Sequence, residues 1–398
     1  MNAKRMIHWG LLLAVPLMQS CETLWPVEPE ENHLLDGPME GLSGTQLAQF
    51  HRGDEAFGEV FTSDLGLGPL FVANQCSSCH VGDGKGHPFV GFTRFGQSDT
   101  SGNQMLHLGG PQLQHKSLPG FQPEQLPSGA SNSYLIAPAV TGLGFLDAVS
   151  DADLVALADP NDLDGDGISG KPHWVDLPSY AALRPNALLR NGRGIGRFGK
   201  KGAAYDLLHQ TVNAYSQDMG ITSLFEPMDL ASGLEIDPEV AANVVHDVVA
   251  YLRMLKAPIA RNQDDTDVKA GKQLFVSIQC EACHTEELHT SYSPIAALSN
   301  QTFHPYTDQL LHDMGSGLDD GYTEGYAETA EWKTPALWGI GLSVNAQGGN
   351  IYLMHDGRAT SIEEAIVAHG GEAEVSKLNY QQLSLLEQDQ LIAFLMSL

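Results

Sequence analysis

The chain has 398 residues, 42% of them hydrophobic, which is long enough to bury a sizeable core. Asp and Glu total 49 against 21 Lys and Arg, so the formal net charge is −28. That balance excludes a general nucleic-acid binder, whose surface must be cationic to neutralise phosphates. The 42 glycines and 21 prolines predict a loop-rich fold with short helices.

The N-terminus has the pattern of an export signal. A basic start precedes an apolar run at residues 11–18, which is too short to span a membrane as a mature helix. Cys21 follows this run and resembles the lipidated cysteine of bacterial lipoproteins, so residues 1–21 are interpreted as a lipoprotein-type signal peptide. The alternative is an ordinary signal peptide in which Cys21 falls by chance. We expect residues 22–45 to form an acidic tether, and the protein to lie in the periplasm or cell envelope with a lipid anchor as its membrane contact.

Four of the five cysteines form two C-x-x-C-H motifs, Cys76-Ser77-Ser78-Cys79-His80 and Cys280-Glu281-Ala282-Cys283-His284. The spacing suits covalent attachment of haem c, because two thiols one turn apart bond the vinyl groups and the next imidazole faces the iron. A thioredoxin-like pair does not require the histidine, and a single Cys₄ zinc site would need ligands far apart in the sequence. Disulfides between such close cysteines would stabilise little. The sequence therefore predicts two covalently bound haems.

An acidic segment follows the start of a calcium-binding loop. Asp162, Asp164 and Asp166 place carboxylates at positions one, three and five of such a loop. His173 stands at position twelve, where an EF-hand has a glutamate, so an EF-hand is excluded. A calcium site of another kind and a plain acidic turn both stay open.

Two helices are predicted to close the two haem units. Asp237 and Pro238 form an N-cap and first-turn pair before an apolar face, and Ser384 with Glu387 forms a capping-box pattern near the C-terminus. Cytochrome c domains close with such a helix near the haem, and the polar stretch 258–267 is the predicted linker. We therefore predict a mainly α fold of two cytochrome c-like domains, each with one covalent haem, the first with long loop-rich insertions. Their predicted bounds are 46–260 and 261–398.

These features resemble the di-haem oxidoreductase family of bacterial proteins, a relative of the di-haem cytochrome c peroxidases and the MauG enzymes. The resemblance covers most of the mature chain, and its densest motifs are His312-Asp313-Met314-Gly315, the segment 332–338, Met354-His355-Asp356-Gly357-Arg358 and the segment 363–371. It implies an exported redox enzyme that uses peroxide, with the second haem as the electron-transfer centre and the first as the reactive centre. A small electron-donor or acceptor protein, such as a basic cytochrome c, is the implied partner, which the acidic surface would attract.

The resemblance also implies roles for individual residues. In relatives, the sixth ligand of the second haem follows a helix start of Glu-Glu-Ala-(Val/Ile), and His369 occupies that position here. Met354 and His355 are nearby alternatives. Near the first haem, relatives place a carboxylate before a methionine with an amide upstream, which correspond to Asp218 and Gln210. An acid there can move a proton between the oxygens of peroxide, whereas the alternative is a helix-terminal acid bonded to backbone.

Lys200 departs from the family pattern. The family usually shows Gly-Arg-Phe-Gly-Trp, and the peroxidases and MauG carry a tryptophan between their haems, but this chain has Lys200 after Gly199. Without an oxidisable ring there, transfer between the irons should slow or take another route. Two functions therefore stay open. One is a peroxide-using oxidoreductase, and the other is a non-enzymatic, lipid-anchored electron-transfer module linked to metal redox or uptake.

Overall fold

The computed structural model describes residues 30–398; the predicted signal peptide, Cys21 and the start of the predicted tether lie outside the described residues. The α-helices of the described part are short, and α1, with 14 residues, is the longest. They are α1 (Gly44–Phe57), α2 (Leu143–Ala148), α3 (Asp151–Leu157), α4 (Leu207–Asn213), α5 (Ala242–Met254), α6 (Thr266–Ser277), α7 (Ser343–Ala346), α8 (Ile362–Ala368), α9 (Glu374–Gln382) and α10 (Leu385–Ser397).

The strands of the described residues are two to four residues long and pair only in antiparallel twos. The pairs are β1 (Leu70–Phe71) with β3 (Lys116–Ser117), β2 (Phe92–Phe95) with β4 (Asn132–Leu135), β5 (Trp174–Val175) with β6 (Gly194–Ile195), β7 (Met228–Asp229) with β8 (Leu234–Glu235), β9 (Leu288–His289) with β10 (Thr302–Phe303), and β11 (Leu311–Asp313) with β12 (Glu331–Lys333). The predicted helix-rich, loop-rich fold is therefore confirmed.

Within residues 30–398, none of the helices combines the length and the apolar character needed to cross a membrane.

Two helix pairs cross at glycines and repeat the same geometry. A Cβ on Gly53 of α1 would lie 2.1 Å from the carbonyl oxygen of Asp247 in α5, and one on Gly271 of α6 would lie 2.0 Å from that of Gln390 in α10. The absence of a side chain therefore lets each pair of backbones touch. A phenylalanine follows four residues after each glycine, and it packs on an aromatic ring of the crossing helix.

Each crossing helix pair anchors a hydrophobic core. The first core joins α1, α4 and α5, and Cys76 packs against its edge. The second joins α6, α8 and α10, and Cys280 packs against its edge. α10 begins as predicted, because Ser384 and Glu387 form both hydrogen bonds of a capping box. The two cores thus support the segments that carry the cysteine motifs.

Two local predictions are wrong. α5 begins at Ala242 rather than after Asp237, because the N–H groups of Glu239 and Val240 donate to the carbonyl of Thr222 and hold that segment extended. The predicted tether at 22–45 is also too long. Leu35 and Met39 are buried, and the Met39 N–H donates to the Met254 carbonyl at 2.8 Å, so this part of the segment packs on the end of α5.

Candidate haem sites

The first cysteine motif forms a single tight turn. Cys76 opens a 3₁₀ turn, and the N–H groups of Cys79 and His80 both donate to the Cys76 carbonyl at 3.1 Å. This turn brings two thiols and one imidazole to the same short segment. The Phe57 ring of α1 lies 6.0 Å from the His80 ring, so the crossing helices wall one side of the site.

The His80 imidazole is neutral and has a buried nitrogen without a hydrogen bond. Its Nδ1 atom has no partner in hydrogen-bonding geometry, although the Pro138 carbonyl lies near it. Burial, with a smaller contribution from the nearby Lys200 ammonium, lowers the pKa of His80 to about 4. A neutral imidazole is the form that binds a metal.

The second motif repeats this arrangement. The backbone N–H of His284 donates to the Cys280 carbonyl at 3.0 Å, and the centroid of the Phe275 ring of α6 lies 6.4 Å from that of the His284 ring. His284 Nδ1 lies 3.0 Å from the carbonyl oxygen of Tyr306 and donates to it, which leaves Nε2 free. Burial lowers the pKa of His284 to about 4. The ring is therefore oriented and neutral, as a proximal ligand requires.

The four thiols lack the properties of redox-active cysteines and do not form one zinc centre. All four are free, and burial raises the pKa of Cys76 and Cys280 to about 12 and of Cys79 to about 11. Reactive cysteines of thioredoxin-like motifs have lowered pKa values instead. Within residues 30–398, the only cluster with metal-ligand spacing is formed by three aspartates, so the two cysteine pairs do not meet in one zinc centre.

His369 lies at the end of α8 with one ring nitrogen available. Its Nδ1 atom donates to the Ala365 carbonyl at 2.7 Å, so Nε2 is free, as in His284. The two rings are neighbours, because a positive charge on His369 would lower the pKa of His284. The structure thus brings the predicted sixth ligand close to the predicted proximal ligand, and each presents a free Nε2.

The two alternatives to His369 have other contacts. His355 stacks on Trp332, with 3.7 Å between ring centroids and 14° between ring planes, and burial lowers its pKa to about 3. Met354 lies in the hydrophobic contacts of the second core and of Trp332. These contacts favour His369 as the available ligand.

Asp218 lies beside the first motif, at the end of a π-helical segment, Ala214–Asp218, that directly follows α4. Gln112 donates from its Nε2 atom to the Asp218 carboxylate, and the charge of Arg94 acts on it. Burial nevertheless raises the pKa of Asp218 to about 6, which exceeds the opposing effects of Gln112 and Arg94. Asp218 also raises the pKa of Cys76, which shows that the carboxylate and the thiol are neighbours.

The amide beside Asp218 is Gln112, which the sequence reasoning missed. Gln210 was the predicted amide; it lies in α4 near Gly199, with its Oε1 atom 3.8 Å from where a Gly199 Cβ would stand, and its role stays a prediction. Arg94 is held by Glu324 at 2.8 Å and donates to Gln217 at 3.1 Å. Gln112 lies far from Asp218 along the chain, and no local pattern signals their contact.

A second missed residue is His312, beside the second motif. Its Nδ1 atom lies 2.7 Å from Glu372 and 3.6 Å from the Cys283 sulfur, and its Nε2 atom lies 2.8 Å from Asp308. Burial disfavours the imidazolium, but these hydrogen bonds outweigh it and raise the pKa of His312 to about 12. His312 is therefore a buried cation that links the Cys283 turn to Glu372. The dense His312–Gly315 motif was the sequence signal for it.

The acidic loop brings its three carboxylates together. Oxygen atoms of Asp162, Asp164 and Asp166 lie within 4.8 Å of one another, and all three residues are partly or fully exposed. His173 is buried, donating from Nδ1 to the Lys201 carbonyl at 2.7 Å and accepting at Nε2 from the Tyr326 N–H, so it has a structural role. A calcium ion at the aspartates stays a prediction.

The residues of both motifs fit haem c. Each motif supplies two protonated, unpaired thiols and a neutral imidazole on one turn, and the His284 ring is oriented by a backbone carbonyl. The buried, unpartnered Nδ1 of His80 lies near the Pro138 carbonyl, which could take the same orienting role.

Comparison with known proteins identifies the family of this chain. The family described as "Di-haem oxidoreductase, putative peroxidase" matches residues 130–398, whereas no curated protein matches the sequence. Among solved structures, hydrazine synthase of Kuenenia stuttgartiensis is 14% identical, with a TM-score of 0.39, over 98% of this chain and 100% of that chain. A MauG-like protein associated with microbial copper homeostasis is 15% identical, with a TM-score of 0.41, over 94% and 95%. These two likenesses are too weak to carry an argument. The family match spans most of the chain, which therefore belongs to the di-haem oxidoreductase family.

Proposed function

We propose that this protein is an exported di-haem c-type cytochrome oxidoreductase that uses peroxide. Two thioether-linked haems would be held by the two C-x-x-C-H turns, each within a cytochrome c-like unit built on one crossing helix pair. The observation that carries the proposal is the difference between the two sites. A second histidine with a free Nε2, His369, lies near His284, whereas a buried carboxyl with a pKa of about 6 lies beside the Cys76 turn.

The second site supports an electron-transfer role. His284 and His369 each donate from Nδ1 to a backbone carbonyl, at 3.0 and 2.7 Å, and so both offer Nε2 in the neutral form. Both histidines would hold the iron of a bound haem, and two such ligands would favour electron transfer over binding of a small molecule. We therefore expect His369 to keep peroxide from this site.

The first site supports proton transfer. The Asp218 carboxyl has a pKa of about 6, so near neutral pH it can both accept and return a proton. Gln112 orients the carboxylate by donating to one oxygen, which leaves the other available. When bound, the haem would supply the redox chemistry, while Asp218 would take a proton from one peroxide oxygen and deliver it to the other.

The cellular setting is part of the proposal. The signal-like N-terminus with Cys21 supports lipid anchoring in the periplasm or cell envelope, and the net charge of −28 supports a basic cytochrome c as electron donor. The three aspartates of the 162–166 loop form a candidate calcium site.

Peroxide consumption by the mature holoprotein tests the function. With a reduced basic cytochrome c or an artificial one-electron donor, we expect peroxide to be consumed in proportion to donor oxidised. His369→Ala should impair donor-linked turnover, whereas Lys269→Met, on the exposed face of α6, should not. A holoprotein that neither consumes peroxide nor changes its spectrum on addition of peroxide would refute the proposed enzymatic function. The protein would then be interpreted as a non-enzymatic electron-transfer module. Lys200, in place of the usual tryptophan, is the residue that favours this second function.

A further inference from the structure

Three lysines lie on the segments that connect the two cysteine motifs. On the side of the second motif, the Asp308 N–H donates to the Cys283 carbonyl at 3.0 Å, and the Thr334 N–H donates to the Leu310 carbonyl at 2.9 Å. Lys333, next to Thr334, donates its N–H to the carbonyl of Lys200 at 3.1 Å. Backbone hydrogen bonds between neighbouring segments therefore connect the second motif to Lys200.

The third lysine is Lys85, and both Lys85 and Lys200 lie near the first cysteine motif. Lys85 is followed by Gly86, where a Cβ would stand 3.0 Å from the Cys79 carbonyl oxygen, so this segment touches the first turn. Lys200 is close enough to His80 for its charge to lower the pKa of that imidazole. Lys85, Lys200 and Lys333, which we call the lysine trio, thus lie between the two predicted haem sites.

The lysine trio forms no ion pair with a carboxylate of the described residues. Other lysines of this region are paired: Lys171 with Glu331, and Lys201 with Asp320 and with backbone carbonyls at 2.8 to 2.9 Å. Within the described residues, by contrast, no carboxylate lies within 4.0 Å of an ammonium group of the trio, although all three lysines are partly buried. In a chain with 49 acidic and 21 basic residues, three clustered lysines without carboxylates indicate that an anion outside the chain balances them.

The lysines also repel one another. Burial, together with the charges of Lys85 and Lys333, lowers the pKa of Lys200 to about 7. Burial lowers the pKa of Lys85 and of Lys333 to about 8. Asp356 and Asp308 oppose these effects from a distance but do not form ion pairs with the trio. A bound anion would relieve both the repulsion and the desolvation.

We propose that the lysine trio forms an anion pocket that binds haem propionate carboxylates between the two sites. This inference rests on the proposed function, because it requires both haems to be attached. Each haem carries a pair of propionates, and these are the anions that attachment at the two motifs would bring into this region. Lys200 then replaces the oxidisable ring of its relatives with a charge that holds haem carboxylates and acts on both irons.

The test measures the reduction potential of each haem in the full mature protein. Lys200→Met should lower the potentials, because loss of a positive charge favours the ferric state, and the first haem should respond more since Lys200 lies beside His80. We expect about a tenfold change in the ferric–ferrous equilibrium, which is about 59 mV for one electron. Lys333→Met should shift the second haem more. Lys200→Arg should restore the potentials, and Lys269→Met, which removes an exposed lysine paired with Asp264, should leave them unchanged.

Resonance Raman spectra identify the anion. The haem propionate bending band should shift in Lys200→Met and return in Lys200→Arg. A variant with both haems attached, unchanged potentials and an unchanged band would overturn the inference and leave the proposed function intact. If added inorganic phosphate changed the reduction potentials of the wild type while the propionate band stayed constant, the pocket would bind a free anion. That result would also overturn the inference. Failure of the wild-type chain to attach haem would instead refute the proposed function.

Discussion

The Asp218→Asn variant distinguishes the catalytic contribution of Asp218 from its effect on the stability of the fold. The substitution keeps the shape of the side chain and an oxygen that accepts from Gln112, but removes the ionisable proton. General acid–base assistance is typically worth about 10²–10⁴-fold, so peroxide turnover should fall by a factor in that range. Asp218→Glu should retain more activity, because it keeps an ionisable carboxyl at this position.

The same substitution should stabilise the fold at neutral pH. Burial raises the pKa of Asp218 from 3.8 to about 6, so ionising this group costs the folded state free energy that the unfolded chain does not lose. The cost is absent below pH 4 and complete above about pH 6. A difference of about two pKa units corresponds to at most about 3 kcal/mol, and we expect Asp218→Asn to increase the free energy of unfolding by about 1–3 kcal/mol at pH 8.

Two assays on the holoprotein measure these effects. Peroxide turnover between pH 5 and 8 should decline for the wild type below about pH 6, as Asp218 becomes protonated, and Asp218→Asn should lack that inflection. Denaturant unfolding at pH 4 and pH 8 should show the stability gain only at the higher pH. A variant as fast as the wild type would return Asp218 to a structural role. A variant less stable than the wild type at pH 8 would contradict the electrostatic reasoning.

Three further predictions concern attachment, ligation and anchoring. Cys79→Ala or Cys283→Ala should lower the haem content measured after denaturation from two to one, since each motif bonds its own haem; two haems in either variant would contradict the assignment. His369→Ala should convert the second iron from low-spin to high-spin in optical spectra, whereas His355→Ala, which removes a ring stacked on Trp332, should not; the reverse pattern would make His355 the ligand. Cys21→Ser should release the protein from the membrane fraction if the cysteine carries acyl chains, and electron exchange with a basic cytochrome c should slow as salt rises; equal membrane association in both forms, or a rate independent of salt, would remove the respective claim.

Local sequence patterns predicted the parts of the structure that local interactions determine. The two C-x-x-C-H turns and the Ser384 capping box depend on residues within a few positions of one another, and they form as expected. The N-cap at Asp237 failed because a distant segment, at Thr222, captures the following N–H groups. The crossing helices α1 and α6 were not predicted, although a glycine and a phenylalanine four residues later, as in Gly53 with Phe57, recur in both.

The candidate sites combine residues that only the fold brings together. Asp218 was predicted from its place in a motif, but Gln112 and Arg94 reach it from a different part of the chain. Lys200 was recognisable as a departure from the family pattern, whereas its grouping with Lys85 and Lys333 depends on tertiary contacts. The sequence motifs therefore identified the candidate reactive residues, but not the residues that surround them in the folded protein.

Electron paramagnetic resonance of the oxidised holoprotein, before and after addition of peroxide, tests the central claim most directly. Two ferric haems should give separate signals. The signal of the second haem should be low-spin and indifferent to peroxide, as expected for coordination by His284 and His369, while the signal of the first haem should change. Two low-spin signals that both ignore peroxide, or a folded protein without covalent haem, would contradict the assignment of one electron-transfer site and one reactive site.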